Sequence, residues 1–75
     1  MDSMTFDELW EQVKQLKVLP DAAIIQIPYI LKDSTKKKLC KQSPQDVAEI
    51  ITSAIDEINR GSVETVDALV RKRLY

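Results

Sequence analysis

The sequence predicts an all-α fold, a small compact bundle of four or five short helices ending in a C-terminal helical hairpin. Three observations carry that expectation. Apolar residues recur at helical spacing near both ends of the chain, helix-capping residues stand directly before those runs, and only one short segment, residues 22–27, could be read as a strand. A lone strand would leave its backbone groups unpaired, so that segment too is expected to be helical. With 75 residues, no internal repeat and no linker-like tract, the chain reads as a single helical domain over 1–75, with residues 1–4 frayed ahead of the first cap.

Thr5 followed by Glu8 is a capping-box pair, and Phe6, Leu9, Trp10, Val13 and Leu16 follow at helical spacing, which places the first helix over 5–17. Trp10 lies on that apolar face and is expected in the core, with a partner-facing hot spot as the other role open to it. Pro20 and Pro28 bracket the next segment. Asp21 can cap it and Ala22 and Ala23 favour a helix, but Pro28 lacks the N–H of a helix interior, so this helix should stop or kink near Ile27, with one further turn open to Tyr29–Leu31. A short basic helix over 35–41 should follow, capped by Asp33 or Ser34, with Leu39 and Cys40 inward. Ser43-Pro44 then supplies an N-cap and a proline at the first helical position. Val47, Ile50, Ile51, Ala54, Ile55 and Ile58 give the helix at 44–60 a broad apolar face, which makes it the centre of the core. Gly61, the only glycine, suits a left-handed helix stop. Ser62 could cap a last helix at once, over 63–74, with Val63, Val66, Leu69, Val70 and Leu74 on its buried face.

Several chemistries have little to work with here. Histidine is absent and Cys40 is the single cysteine, so there is no disulfide, no Cys/His metal cluster and no imidazole base to activate the thiol. Cys40 follows Lys36, Lys37 and Lys38, which could lower its pKa; a half-buried structural thiol is the preferred reading. One glycine at a helix end cannot form a phosphate-cradling loop. The expectation is a protein that is not an enzyme, with no cofactor and no metal. No apolar run reaches bilayer-spanning length, and residues 1–8 lack the pattern of a signal peptide. A cytoplasmic, non-membrane protein is the corresponding expectation.

What remains is binding. A formal charge of −1 describes a mixed surface, although Lys36, Lys37 and Lys38 form one basic cluster and Arg71, Lys72 and Arg73 another. Those clusters support an alternative reading as a small nucleic-acid-binding regulator. Against it, Glu64 and Asp67 stand where the last helix would meet phosphates, and no aromatic residue interleaves the lysines. The preferred reading is a noncatalytic protein-interaction module, with self-association as one form of it. Ile24, Ile25, Ile27, Tyr29 and Ile30 crowd into a segment too short to turn all of them inward, and they are the candidate partner-binding residues. The competing reading makes the same segment an all-apolar interior helix of the bundle.

Overall fold

The computed structural model describes residues 5–74, so the expectation for residues 1–4 lies outside the described residues. The described chain is all-helical: α1 (Phe6–Leu16), α2 (Asp21–Ile30), α3 (Asp33–Leu39), α4 (Pro44–Asn59) and α5 (Val66–Arg73). Helix α4 is the central element, with α1 packed along one side and α5 along another; α3 touches α1 and α5, and α2 leans on α5. Leu9 and Val13 of α1, Leu39 of α3, Val47, Ile51 and Ala54 of α4, and Leu69 and Val70 of α5 are fully buried between them.

Helix α1 begins as its sequence dictates. The Thr5 hydroxyl accepts the Glu8 N–H at 3.3 Å while the Glu8 carboxylate accepts the Thr5 N–H at 3.3 Å, so two otherwise unpaired donors of the first turn are satisfied. It ends at Lys17, whose φ of 57° is left-handed. Helix α4 is equally local in origin. Ser43 Oγ accepts the Asp46 N–H at 3.2 Å, and at the far end the Ser62 N–H donates to the Glu57 carbonyl and the Gly61 N–H to that of Ile58. That pair of bonds, with Gly61 at a φ of 104°, is a Schellman stop, the left-handed cap expected of the only glycine.

Helix α2 departs from expectation. It does not stop near Ile27 but runs through Pro28 to Ile30, so the turn over Tyr29 and Ile30 belongs to the same helix. The reason lies in another helix. In a regular helix the Ile24 carbonyl would accept the N–H of residue 28, which proline lacks. The Trp10 indole N–H donates to that carbonyl instead, at 3.0 Å. Trp10 is accordingly core, only 5 % exposed, with the Phe6 ring stacked against it at 5.5 Å.

The starts of α3 and α5 also differ from the sequence reading. Helix α3 begins two residues earlier than expected, and neither Asp33 nor Ser34 caps it; the N-cap is Lys32, whose own side chain makes no cap. The capping acceptor is Asp67 of α5, which takes the Lys32 backbone N–H at 2.9 Å. Helix α5 starts at Val66 because Thr65, not Ser62, is its N-cap, its hydroxyl accepting the Ala68 N–H at 3.1 Å. Ser62 instead accepts the Glu64 N–H at 3.2 Å within the connecting loop. The hairpin turn is therefore longer than expected, and Val63, assigned to the buried face, is 97 % exposed. Ile55 and Ile58 are likewise half-buried at the edge of the core, whereas Ala48, outside the expected stripe, is buried.

Among the described residues, one buried side-chain polar atom lacks a hydrogen bond: the Thr35 hydroxyl, fully buried in α3. Replacing it by a methyl group removes a desolvated polar atom at nearly constant shape, so Thr35→Val is expected to stabilise the fold by about 1 kcal/mol. In a thermal melt that is a rise of roughly 4–8 °C for a domain of this size, and a lower midpoint would show that the hydroxyl is satisfied in solution. The Trp10 bond has a sharper test in a double-mutant cycle. Trp10→Phe should cost about 1–3 kcal/mol in the native background and distinctly less beside Pro28→Ala, because an alanine there supplies the N–H that proline lacks. Strictly additive single effects would mean that the indole does not replace the missing helix bond.

Candidate interaction surface

Helix α2 is apolar on nearly every side and can bury only one stripe. Ile27 is that stripe's centre, 2 % exposed, with Ala23 and Ile24 half-buried beside it. Ile27 thus leaves the candidate partner-binding set as a core residue. Ile24 is mostly committed as well, packing on the core while its carbonyl holds Trp10. Ile25 and Tyr29, four residues apart and so on one line of the helix, point the other way and are 65 % and 88 % exposed. Ile30 lies between these extremes at 42 %. Leu31, just past the helix, is buried and pins its C-terminal end to the body.

Ile30 also lines a groove of about 370 Å³ between α2 and the hairpin. Ala22, Ile27 and Ile30 form one wall, and Ile55, Ile58 and Val66 the other. No charged side chain lines it; its polar groups are the amides of Gln26 and Asn59. The ridge of Ile25 and Tyr29 and this groove make one continuous uncharged face. Periodicity alone could not reveal the far wall, because residues at the rim of a core and residues inside it share the same helical spacing.

A larger groove, about 590 Å³, runs between the end of α1 and α4. Leu16 and Val18 line it, but across from them stand Gln45, Glu49, Thr52 and Ser53, and that mixture offers a less apolar contact than the α2 face. Of the ionisable side chains, only Glu49 lines the larger groove, and none lines the groove beside α2. Among the described residues, no group of three or more Cys, Asp or Glu side chains is arranged to hold a metal ion, and no helix is long and apolar enough to cross a membrane.

The basic clusters are placed as follows. Arg73 pairs with Glu57 and also donates to the Leu69 carbonyl, which ties the end of α5 to α4. Lys72 meets Glu64 at 2.6 Å, and Arg71 lies 3.9 Å from Asp67. Asp67 itself is 5 % exposed, so it is not on the surface where the sequence reading set it against phosphates. In α3, the Lys36 ammonium sits over the Phe6 ring at 5.1 Å, Lys37 is exposed and Lys38 half-buried. Lys36, Lys37 and Lys41 share a shallow groove with Asp33, Phe6 and Cys40.

Cys40 is half-buried, and desolvation raises its thiol pKa despite the neighbouring lysines. Burial favours the neutral thiol, so less of the nucleophilic thiolate is present than in a free cysteine. Because the folded-state value lies above the unfolded one, the stabilisation is complete below the ordinary thiol pKa and is lost as pH rises through the folded value. Iodoacetamide at neutral pH should therefore alkylate Cys40 more slowly in the folded protein than after denaturation. A faster reaction in the folded state would mark an activated thiol.

No protein-family model, curated protein or solved structure matches this chain.

Proposed function

We propose that this chain is a noncatalytic protein-interaction module that engages its partner through the outer face of α2 and the adjoining groove. The observation that carries the reading is the exposure of Ile25 and Tyr29 on a helix firmly anchored by Ile27, Leu31 and the Trp10 bond. A large aromatic and a β-branched residue held outward on an anchored helix are the components of a binding hot spot, since a β-branched side chain is stiff and a tyrosine has only two side-chain torsions to fix on association. The uncharged groove beside them extends the same contact. A cytoplasmic setting suits the unpaired Cys40.

The nucleic-acid alternative draws less support. Arg71, Lys72 and Arg73 each face a carboxylate of the same chain, and a phosphate would have to compete with those carboxylates.

Exposed side chains contribute little to folding, so Tyr29→Ala should shift stability by no more than about 0.5 kcal/mol. As a hot-spot residue it should still weaken partner binding by about 2 kcal/mol or more. Site-specific photo-crosslinking in cells checks the reading directly. A photoreactive residue at position 25 or 29 is expected to yield protein adducts, and one at the exposed Asp46 is not. Equal yields at all three positions would refute the assignment of the face. Nuclease-sensitive adducts formed only from position 37 would favour the nucleic-acid alternative.

A further inference from the structure

We propose that the occupant of the α2 face is a second copy of this chain, docked antiparallel about a two-fold axis. The inference rests on the interaction reading above and names its partner. At about 100° per residue, Ile25 and Tyr29 point within about 40° of each other, Ala22 and Gln26 come next around the helix, and Ile30 at the groove follows. Ridge and groove therefore lie side by side on one face. A two-fold axis perpendicular to the helix sets ridge against ridge, with Ile25 of each copy opposite Tyr29 of the other and the two uncharged grooves on the same side of the contact, the self-complementary arrangement that a symmetric dimer requires.

Charge points to the same operator. The ridge and groove carry no charge, so two copies meet there without repulsion, while a charged partner would lose solvation and find no counter-ion. The nearest charges along the helix stand at its two ends, Asp21 at the start and Lys32 just beyond the last turn, both exposed. Antiparallel docking sets Asp21 of each copy near Lys32 of the other. The midpoint between Asp21 and Lys32 falls within one residue of the midpoint between Ile25 and Tyr29, so a single axis serves both pairs. Lys14 and Lys17 border Asp21 on its own protomer, which makes this charge pairing a matter of orientation more than of strength.

The contact is small. A helix of this length extends about 15 Å, and with its groove it falls short of the ~800 Å² per partner of a standard stable interface. The dimer should accordingly dissociate in the range of roughly 10–100 µM.

Sedimentation analysis from about 5 to about 500 µM brackets that affinity. Wild type is expected to pass from monomer to dimer, and Tyr29→Glu to stay monomeric with an unchanged circular-dichroism melt. Orientation is read in a Cys40→Ser background, where mixing the Ile25→Cys and Tyr29→Cys proteins should give a mixed disulfide in excess of either homodimer. Asp21→Lys and Lys32→Glu should each weaken the dimer, and the combined variant should recover it. A wild type that remains monomeric to the highest concentration overturns the proposal, as does a dimer indifferent to Tyr29→Glu or lacking the mixed disulfide. The two readings fail separately: a monomer whose positions 25 and 29 still crosslink to a different protein in cells keeps the interaction module and loses the dimer, and a monomer without such crosslinks loses both.

Discussion

The hydrogen bond from the Trp10 indole to the Ile24 carbonyl determines where α2 can lie, and with it which residues the protein shows to its surroundings. Pro28 removes one helix N–H and leaves that carbonyl without its usual partner. A carbonyl left unpaired in this part-buried position would lose some of its hydration without an equivalent bond in exchange. The indole resolves this only if the Ile24 turn of α2 lies within reach of the Trp10 side chain. The tryptophan is itself steadied by the stacked Phe6 ring, and Phe6 by the Lys36 ammonium from α3. Three helices are thus placed relative to one another by a short series of contacts that begins with a missing N–H.

Asp67 plays a comparable part on the opposite side of the bundle. A buried carboxylate is tolerated when hydrogen bonds and nearby positive charge replace its water, and here the Lys32 N–H, the start of α3 and the Arg71 guanidinium provide them. In return, α3 obtains the N-terminal cap that its own sequence does not furnish. Ion pairs from Lys72 and Arg73 hold the hairpin closed around the same helix. They are partly exposed, and each adds little alone. Their consequence for function is larger than for stability: they occupy the basic residues at the end of α5.

Helix α2 connects these structural constraints to the functional reading. Secured through Ile27, Leu31 and Trp10, it commits one apolar stripe to the core and has a second, Ile25 and Tyr29, left over. Its length and the volume between it and the hairpin set the scale of what can bind. The groove, about 370 Å³ and lined by apolar side chains with the amides of Gln26 and Asn59, suits a few apolar side chains of the proposed partner.

Helices α1 and α4 were legible from the sequence because everything that begins and ends them is local: Thr5 with Glu8, Ser43 with Pro44, and Gly61 all act within a few residues of the helix they cap. The all-α class and the crowding of apolar residues around α2 followed from the same short-range pattern. The continuation of α2 past Pro28, the start of α3 just after Lys32 and the burial of Asp67 were decided by partners 14 and 35 residues away, whose distances no local spacing encodes. The start of α5 was a local contest between two adequate caps, Ser62 and Thr65, which Thr65 won while Ser62 served the loop. Sequence alone nominated Ile24, Ile25, Ile27, Tyr29 and Ile30 together. Only tertiary packing separated inward Ile27 from outward Ile25 and Tyr29, because a helix apolar all round has no preferred face until a neighbour fixes its rotation.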